Sequence, residues 1–101
     1  MVFVLVWEFR ATRGCEKEFE RAYGPDGEWV RFFKSGEGYL KTELLRDVQN
    51  PVGYLTVDYW ISQTAYETFR KKWLAEYEAL DRKCESLTEH ERQIGTFFSE
   101  S

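Results

Sequence analysis

A carboxylate in the middle of an apolar strand is the group in this sequence best placed to do chemistry. In "YLTVDYWIS", residues 54–62, Asp58 sits among Tyr54, Leu55, Val57, Tyr59, Trp60 and Ile61. Strand alternation puts Tyr54, Thr56, Asp58 and Trp60 on one face. A carboxylate facing an aromatic wall loses hydration, which raises its pKa toward neutrality. Such a group can accept the proton of a phenol or an activated C–H. The structural alternative is an Asp58 paired with an Arg or Lys, or half-exposed at the mouth of a pocket. Trp60, and Tyr66 early in the segment that follows, could hold an aromatic substrate by stacking, with the Tyr66 hydroxyl as donor. Both would equally serve as core residues.

Other chemistry finds little support. His90 is the only histidine and lies in the polar run "TEHERQ", so a solvated strand start is expected there. A lone His without a Cys/His cluster gives no metal site. Cys15 and Cys84 form no CxxC, and two cysteines are not a disulfide framework. A bridge between them depends on geometry and is not expected. No Gly-rich phosphate loop and no GxSxG occurs. The expectation is a site with no cofactor and no metal.

Around these residues the composition sets bounds. The chain has 101 residues, which fits one domain spanning 1–101. Aromatic residues make up 18%, more than a small two-layer core needs, and the surplus must line a pocket or an interface. The net charge of −4 argues against a polyanionic partner such as nucleic acid. The apolar N-terminus "MVFVLVWEFR" has no basic lead and no small-residue cleavage site, so it reads as a strand rather than a signal peptide. No apolar run approaches the ~20 residues that span a bilayer. A cytoplasmic protein with reduced thiols and no membrane association is expected.

The elements that must position the site follow from periodicity. Residues 2–10 predict strand one. Phe3, Leu5, Trp7 and Phe9 share one of its faces, and Val2, Val4 and Val6 the other. Cys15, Phe19, Ala22 and Tyr23 recur at helical spacing over 15–23. Gly24-Pro25-Asp26-Gly27 interrupts that helix, and Asp26 could cap a short second piece carrying Trp29, Phe32 and Phe33. Residues 38–47 and 53–61 predict a hairpin turning at Gln49-Asn50-Pro51. Ser62 is a candidate N-cap. After it, Tyr66, Phe69, Trp73, Tyr77, Leu80, Cys84 and Leu87 predict one long amphipathic helix, with Arg70, Lys71, Lys72, Glu76 and Glu78 on its wet side. Residues 90–98 predict strand four.

The order βαββαβ, with right-handed crossovers, leads to a ferredoxin-like α+β fold: a four-stranded antiparallel sheet with its helices on one face. One sheet face is then bare. Val4 and Val6, joined by Leu55, Val57 and Tyr59, would form a wholly apolar surface there. A second copy packed sheet to sheet about a two-fold axis is its simplest cover.

With these elements in place, the chain resembles the antibiotic biosynthesis monooxygenase (ABM) family of the dimeric α+β barrel superfamily. The resemblance rests on "EFRATRGCEKEFERAY" after strand one and on "YLTVDYWISQTAYETF", where a strand-ending Trp and Ser run into the second helix. It implies a homodimer with a pocket between sheet and helices in each subunit. It also implies oxidation of a phenolic polycycle by dioxygen without a cofactor, the deprotonated substrate itself reducing oxygen. The family's strand-three Trp matches Trp60, and its helix Tyr matches Tyr66. The family's Asn, four residues before the Trp, is replaced by Thr56. Haem-degrading relatives use an Asn on strand one and a His on the second helix. Here Trp7 takes the first position, and residues 62–89 contain no His.

The expected site therefore has Asp58, Trp60 and Tyr66 as catalytic candidates, and Tyr54, Thr56, Trp7, Phe69 and Trp73 as walls for a small apolar or aromatic ligand. Two rivals share the pattern. A binding module without turnover would use the same pocket. An RNA-recognition motif has the same element order, and "VGYLTVDY" partly fits its strand-three signature, with Thr56 where a stacking aromatic belongs. The RNA reading needs residues 54, 56 and 58 to point away from the helices, onto an open platform. The ABM reading needs them to point inward.

Overall fold

β1 (Phe3–Ala11), β2 (Tyr39–Arg46), β3 (Gly53–Trp60) and β4 (Thr88–Phe98) form where β-branched and aromatic residues alternate with polar ones. In the computed structural model, which describes residues 1–100, they make one antiparallel sheet in the order β2-β3-β1-β4. Each strand lies within about two residues of its expected span. Between β1 and β2 lie α1 (Glu16–Tyr23) and α2 (Glu28–Phe33); between β3 and β4 lie α3 (Gln63–Lys72) and α4 (Leu74–Lys83). This is a ferredoxin-like α+β fold.

Register decides which residues the site can use. Across β1 and β3, Leu5 is opposite Asp58, Trp7 opposite Thr56 and Phe9 opposite Tyr54. Across β2 and β3, Thr42 is opposite Asp58. All of these face the helices. The burial of β3 alternates strictly, with Tyr54, Thr56, Asp58 and Trp60 buried and the residues between them half-buried. Phe19, Tyr23, Trp29, Phe33 and Phe69 from the helices close over this face and form one core with Phe3, Leu5, Phe9, Tyr54 and Trp60. Tyr54, Thr56 and Asp58 thus point inward, and the platform that the RNA reading requires is covered.

Local signals set the start of α3 and of β2. The Ser62 side chain accepts a hydrogen bond from the Ala65 amide at 3.0 Å and caps α3. Gly38, at φ +93°, turns the chain into β2 in a conformation that suits glycine alone.

Three expectations are corrected. Gly27, not Asp26, is the N-cap of α2, and it offers no side-chain cap; the Asp26 carbonyl instead accepts from Arg31 Nη1 at 2.6 Å. The single long helix is two, broken at Trp73 (φ −113°, ψ 28°). No Gly or Pro lies in residues 63–83, so packing makes the bend: Phe69 is held against Trp60, and Tyr77 against Trp29. The bare sheet face is not wholly apolar. Val4, Val6, Leu55 and Val57 form its middle, while Lys41, Glu43, Glu8 and Arg92 share it by register. No helix among the described residues is long and apolar enough to cross a membrane. Both cysteines are free thiols.

Candidate active site

Between the sheet and the helices lies a cavity of about 240 Å³. Its floor is Trp7, Phe9, Thr42, Thr56 and Asp58 from three neighbouring strands. Tyr23, Trp29 and Phe33 wall one side, Arg70, Tyr77 and Asp81 another, and Glu91 of β4 completes the rim. Asp81 and Glu91 are exposed, whereas Asp58 is only 8% exposed.

Asp58 has neither of the structural partners considered for it. Among the described residues no ion pair includes it. Its single side-chain hydrogen bond among the described residues is from the Thr42 hydroxyl, which donates to Oδ1 at 2.5 Å. Tyr39 and Thr42 hydroxyls lie 2.7 Å apart. A threonine hydroxyl has one proton, so with Thr42 donating to Asp58, Tyr39 donates to Thr42. The result is a chain of hydroxyls running from the half-buried Tyr39 to the carboxylate. Burial pushes the Asp58 carboxyl up to about 6, against the lowering effect of the Thr42 hydrogen bond.

Arg70 is the residue that sequence reasoning missed. Its charge suggested the wet side of the helix, but it stands four residues after Tyr66 and seven before Tyr77, on the same face as both. Its guanidinium lies 4.0 Å from the Tyr77 ring centroid, and Nη1 donates to the Tyr66 hydroxyl at 3.0 Å. Nε is enclosed without an acceptor, and no described carboxylate pairs with the group. The signal in the sequence was its position between Tyr66 at i−4 and Tyr77 at i+7 on one helix face.

The structure brings together Trp7, Thr56 and Asp58 of the expected site and places the others elsewhere. Trp60 is fully buried in the core, edge-on to Phe33, Tyr39 and Tyr66, and its indole N–H has no acceptor. Phe69 is buried against Trp60 and Phe32. Tyr54 reaches away from the cavity and donates to Glu20 Oε2 at 2.6 Å; burial and that carboxylate hold its phenol at about 12. Tyr66 contacts the site through Arg70. Trp73 is half-buried at the helix bend. No group of three or more His, Cys, Asp or Glu among the described residues could hold a metal.

The arrangement can bind a small aromatic compound, take a proton from it at Asp58 and offer a cation to an oxygen at Arg70. Structural neighbours share the fold at low identity. A protein from Deinococcus radiodurans described as a candidate antibiotic biosynthesis monooxygenase is 13% identical with a TM-score of 0.76, over 100% of this chain and 94% of that one. PA3566 from Pseudomonas aeruginosa is 16% identical with a TM-score of 0.73, over 99% and 95%. SnoaB, a cofactor-independent oxygenase from Streptomyces nogalater, is 18% identical with a TM-score of 0.70, over 99% and 94%. No curated protein gives a match. The profile for antibiotic biosynthesis monooxygenase (ABM) matches residues 2–80, from the start of β1 through most of α4. That stretch holds nearly every residue of the cavity wall, and by it the chain belongs to the ABM family.

Proposed function

We propose that the protein is a cofactor-independent monooxygenase of an aromatic, polyketide-like small molecule, working as a sheet-to-sheet homodimer. The observation that carries this reading is Asp58: a buried carboxylate without a cation partner, on the floor of an aromatic cavity. Asp58 takes a proton from the substrate, and the electron-rich anion passes electrons to dioxygen. For an anthrone, one CH₂ and one O₂ become one C=O and one water, and the substrate supplies every electron. The description of SnoaB as a cofactor-independent oxygenase supports the same chemistry on this fold.

A binding protein without turnover is the second reading. It is favoured by the burial of Trp60 away from the cavity and by Thr56 standing where the family resemblance expects an amide. Oxygen uptake in metal-free buffer with a panel of anthrones and hydroquinones separates the two. The monooxygenase reading expects consumption that is lost in Asp58→Asn and that falls as pH drops through about 6, where Asp58 protonates. Tryptophan quenching by several compounds with no oxygen consumed would establish the binding reading instead.

A further inference from the structure

A general base that keeps its proton works once. Asp58 is only 8% exposed, and a compound that fills a cavity of about 240 Å³ displaces the water that would otherwise reach it. The hydrogen bonds of Asp58 lead in another direction. Thr42 Oγ1 lies 2.5 Å from Asp58 Oδ1 and 2.7 Å from the Tyr39 hydroxyl. Thr42 stands on β2, an edge strand of the sheet, directly opposite Asp58 in the register. It lines the cavity. The half-buried Tyr39 does not, and its ring packs against Phe33 and Trp60. The three groups thus run from the cavity floor into the edge of the sheet.

Both intervening groups are hydroxyls, which donate and accept. With Asp58 charged, Tyr39 donates to Thr42 and Thr42 to Asp58. With Asp58 protonated, the same oxygens can hold the reverse order, Asp58 donating to Thr42, Thr42 to Tyr39, and Tyr39 outward. No heavy atom has to move between the two. Both distances fall at the short, strong end of the O–H···O range. Satisfying a buried carboxylate oxygen takes only Thr42. Tyr39 is the additional member, and it extends the chain beyond the cavity wall.

We propose that Thr42 and Tyr39 form a proton wire through the edge of the sheet, by which Asp58 returns its proton to water while the cavity is occupied. The Asp58 O–H bond breaks as its proton bonds to Thr42 Oγ1. The Thr42 proton passes to the Tyr39 oxygen, and the Tyr39 proton passes to water or a buffer base outside. Each electron pair stays on the oxygen whose bond breaks. Both hydroxyls end as they began, and Asp58 alone changes, from acid to carboxylate. Thr42 and Tyr39 act through Asp58 and are positioning residues. The wire rests on the reading of Asp58 as a proton acceptor but not on oxygen chemistry. The other titratable and charged groups around Asp58 are Tyr23 from α1, Arg70 from α3, Tyr77 and Asp81 from α4, and Glu91 from β4; α2 and β1 present none to the cavity.

The test reads proton exchange directly, without turnover. Carbon-13 relaxation dispersion at the Asp58 carboxyl carbon, recorded at its titration midpoint, gives the exchange rate in the free protein and with naphthalene, which neither ionises nor reacts, filling the cavity. Asp58→Asn assigns the signal. In Tyr39→Phe the free-protein midpoint should stay at about 6, because Thr42 still donates, while exchange with naphthalene bound should slow about tenfold or more. Thr42→Val should slow exchange as much and also raise the midpoint, since the hydrogen bond that lowers it is gone. Thr42→Ser should restore both. A structural role for the two hydroxyls would shift the melting temperature and leave the exchange rate alone. Exchange in naphthalene-bound Tyr39→Phe as fast as in the wild type would overturn the wire, as would a wild-type cavity that takes up no naphthalene. Wire-dependent exchange with no oxygen consumed from any substrate would sink the oxygenase reading alone; oxygen uptake with exchange unchanged in Tyr39→Phe would sink only the wire.

Discussion

Asp58 is expensive to keep. A carboxyl whose folded pKa lies above its unfolded value binds its proton more tightly when folded. It therefore contributes stability at low pH, and that contribution is lost as pH rises through the interval from 3.8 to about 6. The usual structural Asp does the reverse. Above pH 7 the deficit is about 3 kcal/mol. Asp58→Asn keeps an oxygen for the Thr42 hydroxyl and removes the charge, so it should raise the melting temperature at pH 8 and leave it nearly unchanged at pH 4. Thermal unfolding at the two pH values measures this. A variant that is equally destabilised at both would mean that the carboxylate is structural. If the same substitution also ends oxygen uptake, Asp58 is a residue retained at a cost to stability, which is what function predicts and packing does not.

At the scale of elements, one tight constraint is where the α2–β2 turn crosses the core. A Cβ on Gly36 would come within 2.6 Å of the Phe69 ring and 3.0 Å of Trp60. Gly36→Ala should therefore cost ~1–3 kcal/mol by overpacking, measurable by denaturant unfolding, although Gly36 itself needs no left-handed backbone. Strand alternation made the four strands readable, and it made Tyr54, Thr56, Asp58 and Trp60 readable as one set. It could not give depth along the strand. Within that set Asp58 and Thr56 reach the cavity, while Trp60, at the strand end under α2 and α3, is sealed in the core. The bend at Trp73 left no mark in the sequence because no breaker makes it. Arg70 was misread for a different reason: four residues after Tyr66 and seven before Tyr77, it lies on the aromatic stripe even of a straight helix, and its charge alone suggested water.

For the whole molecule, the proposed assembly turns on the open sheet face. Val6 and Val57 are directly opposite on its central strands, with Val4, Tyr59 and Phe97 beside them. Phe97 is 50% exposed in the single chain, a large apolar group for water to meet. The proposed dimer covers this patch and leaves Glu8 and Arg92, paired with each other at 3.2 Å, at its edge. Light scattering at micromolar concentration should show a dimer. Val57→Asp should convert it to a folded monomer, because a carboxylate buried in an apolar interface has no partner. A wild-type monomer under those conditions would sink the two-sheet assembly.

The break at Trp73 also divides the roof over the cavity into a fixed part and a loose part. α3 is tied down by the Ser62 cap and by Phe69. α4 buries no residue fully, yet it carries Tyr77 and Asp81. A swing of α4 about Trp73, with the sheet and Asp58 undisturbed, is thus an expected local opening of the cavity. Traffic into the cavity would then be set by one short helix working as a door. Amide hydrogen exchange should be faster across residues 74–83 than across 63–72, and a bound phenol should slow the first segment more than the second.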